Sequence, residues 1–337
     1  VPNTPSLYSE SQIGKITHRF GLTPLKYRWI PSLYREKAVI KIQTKNESYA
    51  LKPYIRSDLL QSKTIRQIEK TADHILLLMK SGYSYMPNWL YTDSGRLWVE
   101  KKGRPFYITE WINGRGLAIS EDYEKLGRAI AAIETVSNDL PRIESASFTH
   151  KQIRLRKSEN HTFHRRMAKA DQSHRKYQLW YRKYGKACKK LADLSWVDIK
   201  DPGIVDLMKQ EWTRPVLTHR DITCSNVIIS DDGRLFIIDW DRVKIDSLYS
   251  DLARTLMNTT HFNPAFIQSF LKGFEEIRPL NRSERKLIAA LYRLPREAWI
   301  AARFLGQKRG NELLDIIDTT WTFRLEAINI LDEWANQ

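Results

Sequence analysis

Asp221, Asn226 and Asp239 lie within one short stretch, Thr218 to Asp241, and their side chains offer oxygen donors. Two apolar runs, Val227 to Ile229 and Leu235 to Ile238, flank the polar segment Asp231-Asp232-Gly233-Arg234. Apolar runs around an Asp-Gly turn predict a β-hairpin. Pairing Ser230 with Leu235 across a four-residue loop sets Asn226 opposite Asp239. Directly opposed residues have Cβ atoms roughly 4.5–5.5 Å apart. An amide oxygen and a carboxylate at that spacing suit Mg²⁺, which takes few protein oxygens and leaves room for phosphate oxygens. Asp221, in the loop leading into the hairpin, is placed to accept a proton from a hydroxyl while the metal holds the phosphate. The alternative is an ordinary surface hairpin with acidic ends.

The rest of the chain has to hold these residues in place. Its 337 residues are 42% hydrophobic and include 11 Trp, 15 Tyr and 11 Phe, enough for a substantial core and against disorder. No apolar run approaches the ~18 residues of a membrane span. The segment Val1 to Gln12 is polar, with no apolar signal region, and reads as lacking a signal peptide. Cys188 and Cys224 are the only cysteines, too few for a disulfide framework and without metal-binding spacing. The net charge is +16, and most of the excess comes from residues 151–190, where 14 Lys or Arg stand against Glu159 and Asp171. Such a basic insert suits an acidic protein, a nucleic acid or another polyanion; the alternative is a solvated helical face. Its aromatic residues, Phe163, Tyr177, Trp180, Tyr181 and Tyr184, either stack on bases or anchor the segment.

Along the chain, residues 9–20 predict a short helix capped by Ser9, with Ile13, Ile16 and Phe20 on one face. Strands are expected at Tyr27 to Ile30, Val39 to Thr44 and Glu47 to Lys52. A helix over 62–80 carries Ile65, Ile68, Ala72, Ile75, Leu76 and Met79 at helical spacing. Glu69 borders that stripe, where it could reach Lys52; the alternative is a surface Glu paired along its own helix with Arg66. A hairpin is expected between Trp89–Tyr91 and Arg96–Glu100 around Asp93-Ser94-Gly95, and a second turn at Lys102-Gly103-Arg104 leads into a strand from Phe106 to Ile112. Asn113-Gly114-Arg115-Gly116 reads as a flexible boundary. Ser120 is placed to cap a helix through Ile133, and Ile204 to Trp212 predicts another. After Asp241, Asp251 opens a helix, and three more helices are expected near 264–276, 283–305 and 311–334.

The pattern His219-Arg220-Asp221 with Asn226 five residues on, then Ile-Asp-Trp-Asp at 238–241, resembles a protein-kinase-like catalytic loop of the aminoglycoside phosphotransferase and choline-kinase branch. His-Arg-Asp-Ile-Thr-Cys-Ser-Asn, Tyr-Ile-Thr-Glu-Trp-Ile-Asn-Gly and the basic aromatic insert are similar to the spore coat protein S/I branch of spore-forming bacteria. The resemblance implies an α+β bilobal fold. A small, mainly antiparallel β lobe with a helix would span residues 1–112. A larger, mainly α-helical lobe would span 113–337, with the catalytic loop at 218–241. It implies ATP and Mg²⁺ as cofactors, Asp221 as base, and Asn226 and Asp239 as metal ligands. Lys52, oriented by Glu69, would hold nucleotide phosphates, and backbone groups at Glu110, Trp111 and Ile112 would contact adenine. Asp241 stands as an auxiliary metal ligand or structural carboxylate, and Asp251 as the carboxylate that braces the catalytic loop.

The family's glycine-rich loop has no counterpart, since Pro31 to Lys37 contains no glycine; Arg35 and Lys37 could substitute as point charges. The expected activity is phosphoryl transfer to a hydroxyl of an unidentified small molecule, protein or coat component. The expected location is the spore coat, after synthesis in the cytoplasm, with acidic coat proteins or a polyanion as partners of residues 151–190. A catalytically silent coat scaffold with the same fold is the competing expectation.

Overall fold

The computed structural model describes residues 9–30, 39–54, 64–137, 140, 146–170 and 174–337. The loop from Pro31 to Lys37, with Arg35 and Lys37, lies outside the described residues. In chain order the first elements are α1 (Glu10–His18), β1 (Lys26–Ile30), β2 (Val39–Gln43), β3 (Ser48–Pro53), α2 (Ile65–Lys80), β4 (Val99–Lys101) and β5 (Arg104–Glu110). Then come β6 (Gly114–Arg115), α3 (Ser120–Val136), α4 (Ala146–Ala168), α5 (Arg175–Ile199), α6 (Pro202–Thr213) and β7 (Val216–Thr218). The remainder is β8 (Val227–Ser230), β9 (Leu235–Ile237), β10 (Lys244–Asp246), α7 (Leu248–Thr259), α8 (Pro264–Ile277), α9 (Arg282–Arg293), α10 (Arg296–Arg303) and α11 (Lys308–Ala335). The fold is α+β, and the chain forms two compact units. One is Val1–Leu117 with Ser225–Lys244; the other is Ala118–Cys224 with Ile245–Gln337.

The first unit is built on an antiparallel sheet in the order β1-β2-β3-β5-β4. Period-2 alternation gives it two distinct faces. Ile40, Ile42, Leu51, Phe106 and Ile108 form one core with Ile13, Ile16 and Phe20 of α1. Ser9 caps α1 as expected, its hydroxyl accepting from Gln12 N–H while the Gln12 side chain answers the Ser9 N–H. Because Leu51 points to α1, Lys52 points to the opposite face. There it stands across from Tyr107 in the β3–β5 register.

Residues 113–116, expected as a flexible boundary, contain the short strand β6, and the N-terminal part of the first unit ends just beyond them at Leu117. Gly114 pairs with Ser230 and Arg115 with Ile229, so β6 joins β8 and β9 in a three-stranded sheet. Gly114 sits at φ +155, and a Cβ there would lie 2.1 Å from the Ile229 carbonyl oxygen. Only glycine tolerates that approach. The pairing ties residues 225–244 to the first unit, whose N-terminal part runs on to Leu117.

The second unit is largely helical, with β7 and β10 as a small sheet. α3 and α8 meet at Gly127 and Gly273, where an added Cβ would lie 2.1 Å from the Phe270 and Glu124 carbonyl oxygens respectively. The helix expected over 283–305 is two helices. Pro295 has no N–H to continue the ladder, so α9 stops at Arg293 and α10 restarts at Arg296. Ser120 is the first helical residue of α3, not its cap. The Asp122 carboxylate takes up the Ala118 and Ile119 N–H groups instead.

The basic insert forms α4 and α5. Phe163, Tyr177, Trp180 and Tyr184 are buried, and the Tyr181 hydroxyl meets His164 Nδ1 at 2.9 Å. Four of the five rings thus anchor the insert, and Tyr181 is half-buried. Among its cations, Lys176 and Lys183 pair with Asp315 and Asp318 of α11. Among the described residues, no helix is long and apolar enough to cross a membrane.

Candidate active site

In the first unit, Lys52 forms an ion pair with Asp239, a residue brought in by the turn after β9. Only 13% of the Lys52 side chain is exposed. Burial pushes its ammonium down to about 8, against the opposing pull of Asp241. Tyr107 and Tyr54 line the same region with ring centroids 4.8 Å apart, and Trp89 stacks on Tyr107 at 4.4 Å. Both phenols are pushed up, first by burial and then by the Asp241 charge. The Lys52 ammonium is therefore a poorly hydrated cation facing two carboxylates, a setting in which charge interactions are strong.

Asn226 and Asp239 do not oppose each other as expected. The observed pairs are Val227 with Ile237, Ile228 with Phe236 and Ile229 with Leu235. Ser230 N–H bonds to the Arg234 carbonyl, closing a three-residue loop with Gly233 at φ +80. A left-handed glycine at that position is characteristic of three-residue hairpins. The shorter loop shifts the register by one residue, so the Asn226 carbonyl accepts from Ile238 N–H at 2.9 Å. Asn226 itself ends a 3₁₀ turn (Cys224–Asn226) ahead of β8. Asp239 lies one residue beyond the paired segment with φ +68 and ψ +46. A left-handed Asp is uncommon and marks a backbone held by its surroundings. Trp240 supplies the hold: it is buried, its Nε1 donates to the Ile237 carbonyl at 2.6 Å, and its ring meets Tyr83 edge-on at 5.4 Å.

Lys52 pairs with Asp239 and not with Glu69, which is exposed on α2. The reason is helix phase. The buried face of α2 runs through Ile68, Thr71, Ala72, His74, Ile75 and Leu78, while Ile65 is 53% exposed. That face is turned roughly 70° away from the stripe expected on sequence, at 3.6 residues per turn, and leaves Glu69 in solvent.

At the end of β5, Glu110 pairs with Tyr49, and its N–H bonds to the Asn88 carbonyl at 2.8 Å. Trp111 N–H bonds to the Ser48 carbonyl at 3.0 Å. The strand ends at Glu110, so Trp111 and Ile112 continue past it in irregular backbone. Glu110 and Trp111, with Ser48, Tyr49 and Asn88, line a cavity of about 490 Å³.

Asn226 and Asp239 offer two hard oxygen ligands, with Asp241 close by in the chain. Among the described residues, no three His, Cys, Asp or Glu side chains gather into a metal cage. A sparse oxygen set fits Mg²⁺, which completes its octahedron with water and phosphate oxygens.

The loop that carries Asp221 belongs to the second unit and is held by α7. Arg220 has φ +71. Its N–H bonds to Asp251 Oδ2 at 3.3 Å, its carbonyl accepts from Arg254 Nη1 at 3.0 Å, and its guanidinium pairs with Asp246 at 3.1 Å. Three attachments to one residue maintain a left-handed conformation that costs roughly 1–3 kcal/mol. Asp251 also lies in the first turn of α7, so the bracing and helix-dipole roles coincide. Burial pushes its carboxyl up, opposed by Arg254. The Asp221 N–H meets His219 Nδ1 at 3.3 Å, with His219 fully buried. Asn258 Nδ2 holds the Ile222 carbonyl at 3.3 Å. Cys224 Sγ lies 3.3 Å from the Thr259 carbonyl and from His261 Nε2, and burial pushes its thiol up, which keeps it protonated. The part of Arg254 in holding this loop escaped the sequence reading. The only signal was its place three residues after Asp251 on a helix.

Residues 35–287 match the model of the phosphotransferase enzyme family. The chain belongs to this family. A search of curated proteins found no match. Among solved structures, an aminoglycoside phosphotransferase from Alicyclobacillus acidocaldarius superposes with a TM-score of 0.80 at 13% identity, over 99% of this chain and 98% of that one. A spectinomycin phosphotransferase in complex with ADP and spectinomycin gives 0.61 at 19% identity, over 98% and 95%. A choline kinase from Streptococcus pneumoniae gives 0.53 at 16% identity, over 96% and 99%. These likenesses establish the kinase-like fold of this phosphotransferase-family chain.

Proposed function

We propose that the chain transfers the γ-phosphoryl group of ATP, with Mg²⁺, to a hydroxyl of a small molecule or coat component. The observation that carries this reading is the Lys52–Asp239 pair, which joins residues 187 apart in the chain on the face of the sheet away from α1. In this reading Lys52 holds nucleotide phosphates and Ile112, beyond the end of β5, meets the adenine edge with Glu110 and Trp111. Asn226 and Asp239 hold Mg²⁺, which neutralises charge on the phosphate oxygens when bound. Asp221 accepts the hydroxyl proton, and its position depends on the braced loop of Arg220. The spectinomycin phosphotransferase bound to ADP supports a nucleotide site in this fold.

A catalytically silent spore-coat scaffold is the second reading. The exposed Glu69 favours it, since among the described residues Lys52 pairs with Asp239 and with no carboxylate of α2. The spore-coat location rests on the sequence resemblance, as does capture of acidic coat proteins or another polyanion by the insert. The deciding experiment follows ADP release from Mg-ATP with a panel of alcohols. Turnover that is lost in Asp221→Asn supports the enzyme, and no turnover with any alcohol favours the scaffold. Binding of a polyanion through the insert would weaken steeply with salt.

A further inference from the structure

Three arginines from three helices of the second unit are charged neighbours, and one of them, Arg254, holds the Asp221 loop. Arg156 of α4 is buried, and its Nη2 donates to Ser250 Oγ in the first turn of α7. Arg254 lies one turn further along α7, on the same face as Ser250. Its Nη1 holds the carbonyl of Arg220, the residue before Asp221. Arg296 opens α10. α10 packs on α4: Asn160 accepts from Trp299 Nε1 at 3.1 Å, Arg166 donates to the Ala302 carbonyl at 3.2 Å, and Glu159 pairs with Arg303. Arg156 lies one turn before Asn160 on α4 and Arg296 three residues before Trp299 on α10, and the Arg156 charge acts on Arg296.

The carboxylates near this group have other engagements. Asp246 pairs with Arg220, and Asp251 accepts from the Arg220 N–H. Glu159 pairs with Arg303. Glu211 accepts from Tyr249 N–H and from Ser247. Of the carboxylates among the described residues, Asp251 alone touches one of the three guanidiniums, Arg254, at 3.8 Å. Among the described residues, the half-buried Arg296 side chain makes no hydrogen bond or ion pair, while its backbone N–H donates to the Leu294 carbonyl at 2.7 Å. Burial pushes Arg156 down to about 10 and Arg296 down to about 9, and in both cases the neighbouring charge that acts most strongly is Arg254. Clustered, poorly hydrated cations of one sign are relieved by an anion, and the guanidinium fork matches carboxylate and phosphoryl oxygens.

We propose that Arg156, Arg254 and Arg296 form an anion subsite that binds the acceptor, which is therefore a hydroxyl compound bearing a carboxylate or a phosphoryl group. The acceptor role rests on the phosphotransferase reading above. Arg254 links the subsite to chemistry, because the guanidinium that would meet the anion also fixes the backbone next to the proposed base.

The test titrates the full chain, saturated with Mg and a non-hydrolysable ATP analogue, with inorganic phosphate and separately with malonate. At least one anion is expected to bind. Arg296→Gln is expected to weaken that binding tenfold or more while nucleotide affinity stays unchanged. If the melting curve shows that Arg296→Gln does not fold, Arg296→Lys is read in its place. It keeps the charge, loses the fork, and is expected to weaken binding severalfold. No anion binding by wild type, or binding that the Arg296 variant leaves unchanged, overturns the subsite. Nucleotide binding with no anion binding overturns this proposal alone; anion binding with no nucleotide binding overturns the acceptor role. With Mg-ATP, glycerate or glycerol 3-phosphate is expected to release ADP faster than glycerol, and a preference for glycerol overturns the proposed substrate class.

Discussion

Lys52 in the first unit and Arg296 in the second are both cations drawn away from water, yet their surroundings differ. Lys52 faces the carboxylates Asp239 and Asp241, so its charge is balanced within the protein. Arg296 has Arg156 and Arg254 as its strongest charged neighbours and makes no ion pair among the described residues. Desolvating an ion is expensive unless a partner compensates. The first unit supplies the partner from its own chain; the second awaits it from outside. The contrast separates a site whose protein ligands are complete from one whose occupant must bring the charge.

The comparison can be broken first at Asp239. Asp239→Asn is expected to remove Mg-ATP binding altogether and leave Lys52 without its partner; calorimetry showing wild-type affinity would end the metal-ligand assignment. Asp221→Asn is expected to lower turnover by roughly 10²–10⁴ while nucleotide affinity holds, as read by paired kinetics and titration. Lost nucleotide binding with turnover per bound complex retained would contradict a base. Lys52→Met is expected to weaken nucleotide binding by about tenfold, or about 1.4 kcal/mol, and an unchanged Kd would show that the ammonium serves only Asp239.

In the second unit the informative variable is pH. Burial pushes the Glu211 carboxyl up to about 7, above its unfolded value near ~4.3. A raised carboxyl takes up a proton on folding. Its stabilising contribution is therefore complete below about pH 4 and is lost as pH rises through about 7. Melting curves between those values should show Glu211→Gln flattening the decline, and parallel wild-type and variant profiles would contradict that account. The smallest effect is expected at Glu69. As an exposed residue not paired with Lys52, it should change nucleotide affinity by less than about twofold when converted to Gln. A tenfold loss would restore the ion pair expected from sequence.

The sequence carried β1, β2, β3, the β8–β9 hairpin and α1 with its Ser9 cap, because each rests on local periodicity or local turn chemistry. The hairpin expected at 89–100 is replaced by an isolated bridge from Trp89 to Thr109 and by pairing of β4 with β5. What it concealed is non-local or a matter of phase. The hairpin register turned on whether Gly233 closes a three-residue or a four-residue loop, and one residue of slip separates Asn226 from Asp239 in the ladder. Glu69 was misplaced because the apolar residues of α2 outnumber those that its packing buries, so composition left the rotation of the helix open. The arginine group was illegible, since Arg156, Arg254 and Arg296 come from three helices and Arg156 belongs to a basic stretch that reads as surface charge. Burying one cation from such a run is a tertiary event with no local signature.

The central claim is a working Mg-nucleotide site in the first unit. The direct test titrates wild-type chain with ATP in the presence of Mg²⁺ and, in parallel, with ATP and excess EDTA. Saturable binding that disappears with EDTA is the predicted result. No binding in either titration would contradict the claim and leave a kinase-like fold without its nucleotide.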